Sequence, residues 1–183
     1  LLGSEEQKAR WLPTLAAVDT LGAFALTEPD HGSDVVRLAT RARSAPGGGW
    51  TLHGSKRWIG NGTVADLVVV WARDDDGDVG AFVVEHPDGA DHPVPGYHAR
   101  RIVGKAANRA VWQAQIELAD VHVPADARLV GARTFEDTNT VLAKSRQTVA
   151  WEALGHAVAA YEGAVTYALR REQFGRPLAR FQL

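Results

Sequence analysis

The sequence has no cysteine and no methionine among its 183 residues. Without thiols there can be no disulfide framework, no thiolate nucleophile and no cysteine-held metal cluster. Histidine does not fill that gap. His53, His98 and His156 have no second histidine at i+3 or i+4, so metal binding is not expected. Methionine is missing even at position 1, which sets the expectation that this is a piece of a longer chain. No run of basic residues stands out and the formal net charge is −2. Nucleic acid and anionic membranes are therefore not expected partners. No apolar run is long enough to span a bilayer, and no charged-then-apolar leader opens the chain. The expected location is cytoplasmic.

What is present divides into three parts. Residues 1–20 open with Ser4-Glu5-Glu6-Gln7, a capping-box pattern that starts a helix. Pro13 is expected to disturb that helix, and Trp11, Leu12 and Leu15 need something to pack on. Residues 21–130 read as short strands, predicted at 22–27, 38–43, 50–54, 67–73, 80–85, 98–103 and 110–118, with turn clusters at 46–49 and 74–78. The aspartates of 74–78 lack the loop length and closing Glu of an EF-hand and read as a solvated turn. Several short strands with punctuated turns point to a small barrel or a sandwich. In residues 131–183, Leu154, Val158, Tyr161, Val165 and Leu169 recur every three or four positions. This predicts one long helix over 135–171, stopped by Gly175 and Pro177, with a further helix starting at 178. Its apolar surface exceeds what a barrel alone could cover, so bundle neighbours are expected from more chain or from another subunit.

Three stretches could carry chemistry. In Leu26-Thr27-Glu28-Pro29-Asp30-His31-Gly32-Ser33-Asp34, an apolar run ends in a Pro- and Gly-containing turn. Such a turn can converge backbone N–H groups, Gly32 admits a close ligand, and Thr27 and Ser33 add hydroxyls. Taken alone it also reads as a strand-ending turn in which Ser33 or Asp34 caps the backbone. Lys56-Arg57-Trp58-Ile59-Gly60-Asn61-Gly62 reads as a loop between strands, offering a flat aromatic face beside exposed backbone donors. A surface hairpin with a core Trp is its plainer reading. Arg170-Arg171-Glu172-Gln173-Phe174-Gly175 closes the long helix, where cations and glycine are favoured without any function.

Together and in this order, over essentially the whole chain, the three stretches resemble the acyl-CoA dehydrogenase superfamily. The run from Lys56 to Asn61, Phe135-Glu136-Asp137-Thr138 and Val149-Ala150-Trp151 resemble glutaryl-CoA dehydrogenases and plant-type short-chain peroxisomal acyl-CoA oxidases within it. The resemblance implies an α+β fold: a central antiparallel β-barrel middle domain at 21–130, the end of an N-terminal helical domain at 1–20, and the start of a C-terminal helical bundle at 131–183. It implies FAD as cofactor, with Phe24, Leu26 and Thr27 along the flavin ring, Gly32 and Ser33 towards its phosphates or the substrate, and Trp58, Ile59 and Gly60 covering it. Arg171 and Gln182 match residues that reach the FAD of a neighbouring subunit. Ser145 and Arg146, with Ser33, fall where acyl-CoA is held.

The implied activity is flavin-dependent introduction of a trans-2 double bond into an acyl-CoA. Electrons would pass to an electron-transfer flavoprotein or, in an oxidase, to O₂, and the full-length protein would be a dimer or tetramer. The alternative is a non-catalytic FAD- or CoA-binding fragment. No residue here is assigned as catalytic. The family's general-base Glu is expected downstream of Leu183, and where some members carry it on the long helix this chain has Ser145. Glu152 reads as a helix-surface charge. Two departures stand out: Gly60 replaces the Thr that usually follows Trp-Ile, and Arg37 stands where a small residue is usual.

Overall fold

The structure is a computed structural model that describes residues 1–86 and 94–181. The chain opens with helix α1 (Glu5–Ala17). Ser4 Oγ accepts from the Gln7 amide at 3.1 Å, and Gln7 Oε1 accepts from the Ser4 amide at 2.9 Å, closing the capping box. Gln7 also ties the helix to the rest of the chain. Its Nε2 donates to the carbonyls of Asp126 and Arg128 at 2.9 and 2.8 Å. Pro13 lies inside α1 without breaking it, and the helix ends at Val18 in the left-handed region (φ 61°). Trp11 finds its packing partners in Leu67 and Val83, with Leu15, Val69 and Leu129 around them.

Seven strands follow: β1 (Gly22–Ala25), β2 (Arg41–Ser44), β3 (Trp50–Gly60), β4 (Leu67–Arg73), β5 (Val79–Glu85), β6 (Tyr97–Arg101) and β7 (Gln113–Val123). They make one sheet in the order β1-β4-β2-β3-β7-β6, with β5 on the other edge of β4. The sheet curls into a half-barrel, which is consistent with the β-barrel middle domain that the resemblance implies. Its pairing is mixed rather than purely antiparallel. β1 runs parallel to β4 and β2 touches β4 in parallel at Arg41–Arg73, whereas β2–β3, β3–β7, β4–β5 and β6–β7 are antiparallel. Among the described residues no ladder joins β5 to β6. The inner face holds the core: Leu52 and Ile59 of β3, Val68 and Val70 of β4, Phe82 and Val84 of β5, and Ile116 and Leu118 of β7. On the other face of β4, Leu67 and Val69 meet α1.

The largest departure from the predicted strands is β3. Residues 56–60 continue the strand instead of forming a loop, because two irregularities let it bend along β7, between Leu52 and Gly54 and between Lys56 and Ile59. Gly54 (φ 149°) makes the first one possible. A Cβ there would fall 2.6 Å from Thr40 Oγ1, so only glycine lets the Thr40 segment lie against β3. The strand predicted at 110–118 starts later, at Gln113. Residues 105–113 are instead gathered by Lys105, whose Nζ donates to the carbonyls of Asn108 and Val111 and to Gln113 Oε1.

The chain separates into two compact units, Leu1–Thr138 and Asn139–Leu183. Helix α2 (Phe135–Arg170) has the predicted length to within one residue. After it come a tight hairpin, β8 (Glu172–Gln173) and β9 (Arg176–Pro177), and a 3-10 turn at Leu178–Arg180 where a further helix was predicted. Leu154, Val158, Tyr161, Val165 and Leu169 are exposed along α2. Among the described residues no helix is long and apolar enough to cross a membrane.

Gln7→Glu is a selective probe of how α1 is docked. The variant keeps an acceptor for Ser4 but points a carboxylate oxygen at two carbonyls that now have no donor. Urea unfolding followed by Trp fluorescence should show a loss of about 2 kcal/mol at neutral pH, the cost of orphaning buried polar groups.

Candidate functional site

The turn after β1 is held from below by a buried ion pair. Glu28 and Lys56 are 5 % and 0 % exposed, and Lys56 Nζ lies 2.9 Å from Glu28 Oε1. The ammonium also donates to the Leu26 carbonyl at 3.1 Å. Glu28 accepts three further bonds: from the Ala39 amide at 2.6 Å, the Thr40 amide at 2.9 Å and the Thr40 hydroxyl at 2.5 Å. The Ala39–Thr40 end of the segment is thus fastened to the Glu28 carboxylate, the Leu26 end to the Lys56 ammonium of β3, and the two charges to each other. Burial pushes the Glu28 carboxyl up, but Lys56 and the bonds from Thr40 and Ala39 outweigh it and hold its pKa below the ordinary value. For Lys56 burial wins over the attraction of Glu28, and its pKa falls to about 8.

Immediately after Lys56 the strand bulges. Lys56 pairs with Ile116 and Ile59 with Ala114, so three steps on β3 face two on β7. Lys56 and Ile59 both point inwards, at 0 % and 2 % exposure. The two residues between them are left on the outer side: Arg57 is half-buried and Trp58 is 47 % exposed, with φ at 64°. The Arg57 amide donates to the Thr27 carbonyl at 2.9 Å, which sets Thr27 directly beside this bulge. The structure therefore places Thr27 beside the segment that carries Trp58.

The remaining predicted residues divide by exposure. Phe24 is exposed and stands edge-on to Trp71 at 6.1 Å. Gly32 and Ser33 are exposed in the turn closed by the Glu28 amide on the His31 carbonyl. Leu26 is buried, and Ile59 belongs to the inner core, so their side chains underlie the surface rather than line it. At Gly60, the last residue of β3, an added Cβ would meet only Val111 Cγ1, at 3.7 Å, so the position is open. Three others lie in the second unit. Ser145 Oγ bonds back to the Leu142 carbonyl of its own helix, Arg146 is exposed, and Arg171 is exposed at the end of α2. Gln182 lies outside the described residues.

The surface around Thr27 and Trp58 offers what a flat polar ligand needs. Among the described residues the hydroxyls of Thr27 and Ser33 and the amides of Gly32 and Ser33 have no protein partner. Phe24 and Trp58 supply exposed ring area. This is the donor and aromatic set that fits a flavin. Glu28 and Lys56 were not singled out from the sequence, although both sit inside the motifs. Charged residues in strand and turn contexts read as solvent-facing, and the bulges at Gly54 and Trp58 break the alternation that would have shown Lys56 pointing in.

The pair makes a defined pH prediction. Glu28 has a lowered folded pKa, so its stabilisation is present at neutral pH and is lost as pH falls below the ordinary carboxylate range. Lys56 titrates in the folded chain near 8 against 10.5 when unfolded, so the unfolded chain binds more protons between those values and stability rises with pH across that window. Lys56→Met should remove this rise and cost about 3–5 kcal/mol at pH 7, because it leaves a buried carboxylate unpaired. Unfolding curves of both proteins from pH 4 to 10.5 measure it.

Comparison with known proteins identifies the family. Residues 23–121 match the family profile "Acyl-CoA dehydrogenase, middle domain", and residues 135–183 match "Acyl-CoA dehydrogenase, C-terminal domain". The chain is 38 % identical to the mitochondrial short-chain specific acyl-CoA dehydrogenase of Bos taurus, over 98 % of this chain and 43 % of that protein. Its fold matches a glutaryl-CoA dehydrogenase from Mycobacterium smegmatis solved in complex with FADH2, with a TM-score of 0.89 and 39 % identity over 98 % of this chain and 45 % of that one. Butyryl-CoA dehydrogenase from Megasphaera elsdenii gives a TM-score of 0.87 at 36 % identity, over 98 % of this chain and 47 % of that one. The chain spans a little under half the length of these relatives. With its middle-domain match over more than half of its residues, the chain belongs to the acyl-CoA dehydrogenase family.

Proposed function

We propose that this chain is the flavin-holding part of an FAD-dependent oxidoreductase that oxidises an acyl-CoA between Cα and Cβ. The observation that carries the reading is the junction of Thr27 with the Arg57–Trp58 bulge, where unpartnered hydroxyl and amide groups lie beside an exposed aromatic face. FAD, when bound, supplies the two-electron acceptor that no side chain can. The chain's own residues do the rest. Trp58 and Phe24 cover ring surface, Thr27 and the amides of Gly32 and Ser33 donate to polar edges, and the Glu28–Lys56 pair holds these groups in register. Ser145, Arg146, Arg171 and Gln182 are assigned to acyl-CoA and to a neighbouring subunit's FAD by family resemblance, and the general-base Glu to sequence following Leu183. A homo-oligomer, an electron-transfer flavoprotein as acceptor and a cytoplasmic location complete the proposal.

The experiment is anaerobic reduction of the full-length protein by butyryl-CoA, followed by flavin absorbance. Bleaching is expected in wild type, and Trp58→Ala should weaken FAD retention by roughly tenfold, on the scale of about 1.4 kcal/mol for a lost stacking surface. A protein that binds no flavin would contradict the proposal.

Gly60 bears on the choice of acceptor without deciding it. A Cβ at Gly60 would meet only Val111 Cγ1, at 3.7 Å, so the first carbon of a Thr side chain has room there, and the substitution would add a hydroxyl. One hydrogen bond is worth on the order of 1 kcal/mol, so Gly60 can bias the acceptor by up to about tenfold. Stopped-flow reoxidation by O₂ should be faster in wild type than in Gly60→Thr. Equal, slow rates would leave electron-transfer flavoprotein as the acceptor.

A further inference from the structure

Where no ladder joins β5 to β6, two stacked rings span the gap. His86, directly after β5, meets Tyr97, the first residue of β6, edge to face at 4.7 Å, and both are buried. The same two residues hold the loop between β3 and β4. Tyr97 Oη donates to the Gly62 carbonyl at 2.8 Å, and the His86 amide donates to the Asp66 carbonyl at 2.8 Å. That loop in turn carries the start of β1. Asn61 Nδ2 donates to the Gly22 carbonyl at 3.3 Å, the Asp66 amide donates to the Leu21 carbonyl at 2.9 Å, and Asp66 Oδ2 accepts from the Leu21 amide at 2.8 Å. Phe24 lies on β1 and Thr27 just beyond it, so the ring pair stands behind the candidate flavin surface.

The His86 ring suits this place only when neutral. Neither ring nitrogen has a hydrogen-bond partner, and both are shielded from solvent. A protonated ring there would bring a charge and two N–H donors with no acceptor, which burial strongly disfavours. Burial accordingly lowers the His86 pKa from its ordinary value, against the opposite pull of Asp66. Beside the ring lies a polar cavity of about 340 Å³, with Arg10 of α1, Asp19, Asp66 and Glu85 around it. Arg10 is held by Glu85 at 2.8 Å and by Asp126 at 3.2 Å. The Asp19 carboxylate has no partner among the described residues. A charged ring turned out of the stack finds water and carboxylates in that cavity.

We propose that the His86–Tyr97 stack is an acid-sensitive brace behind the candidate flavin surface: neutral His86 keeps it closed, and protonated His86 leaves the stack for the cavity and frees Tyr97 and residues 61–66. The consequence for the cofactor rests on the flavin reading; the brace itself does not. The open form binds a proton that the closed form excludes, so opening grows as pH falls below the ordinary imidazole value of 6.5 and is suppressed above it. A drop from pH 7.5 to 5.0 then favours opening by at most about 30-fold. This window lies above that of Glu28 and below that of Lys56.

The test follows amide exchange and FAD retention of the full-length protein between pH 7.5 and 5.0, with His86→Phe beside wild type. Phenylalanine keeps a ring against Tyr97 but cannot take a proton. The Val64 and Ala65 amides bond the Asn61 carbonyl and the Asp66 amide bonds Leu21, so these three report on the loop. Their protection factors should fall in wild type on acidification, up to the 30-fold limit, with FAD retention falling alongside, and both should stay level in His86→Phe. If wild type loses loop protection and His86→Phe does not, while neither binds flavin at any pH, the brace stands and the flavin reading falls. Equal losses in both proteins overturn the proposal, as does a loop that stays protected in wild type at pH 5.0. Flavin that is retained unchanged while the loop opens overturns it too. NMR of the wild-type His86 ring gives a check that needs no variant. Its titration should coincide with the loss of loop protection, and a ring that titrates under a protected loop contradicts the brace.

Discussion

A carboxylate and an ammonium taken out of water together are the constraint on which this structure depends. Glu28 and Lys56 lie under the turn that follows β1, 2.9 Å apart and almost wholly buried. Desolvating two charges is expensive, and the cost is offset only when the remaining lone pairs and protons are also satisfied. Here most are: the Ala39 and Thr40 amides donate to the carboxylate, and the Leu26 carbonyl accepts from the ammonium. A pair built in this way favours one arrangement of its surroundings over near alternatives. Shifting the 26–40 segment by one residue would strand both charges, so the pair defines the register of the turn against β3.

From this follow the features that make a site. β3 must present Lys56 inwards next to a core residue, Ile59, and it does so by bulging between them. The bulge in turn pushes Arg57 and Trp58 outwards, and the Arg57 amide takes the Thr27 carbonyl. The exposed aromatic ring and the unpartnered hydroxyls of the turn are thus consequences of one buried interaction. Gly54 contributes from the other end, since its missing Cβ lets Thr40 reach the same carboxylate. Binding groups held by buried bonds need little reordering when a ligand arrives, which favours affinity.

Much of this was legible in the residues, and the parts that were not share a cause. Strand β4 was read at its observed bounds because Leu67–Arg73 is a compact apolar run between turns, and α2 because its apolar spacing is sustained to Arg170. The capping box at Ser4 and Gln7 is local chemistry and held. What failed depends on contacts distant in sequence. Residues 56–60 looked like a loop because a Trp between charged and glycine residues has no period, whereas pairing with β7 keeps them in the sheet. The parallel pairing of β1 with β4 joins residues 45 positions apart (Gly22 with Leu67) and has no local signal. The motifs marked the candidate surface, but the buried charges beneath it look like any exposed Glu and Lys until the fold is known.

The central claim is that ligand binds on the surface that the Glu28–Lys56 pair holds in place. Amide hydrogen exchange with and without FAD tests it directly. Ala39 and Thr40 amides are already engaged by Glu28 and should be protected in both states. The amides of Gly32 and Ser33, which have no protein acceptor among the described residues, should exchange quickly in the free chain and slow on addition of FAD. Protection that appears instead around the 74–78 turn, with Gly32 and Ser33 unchanged, would contradict the claim.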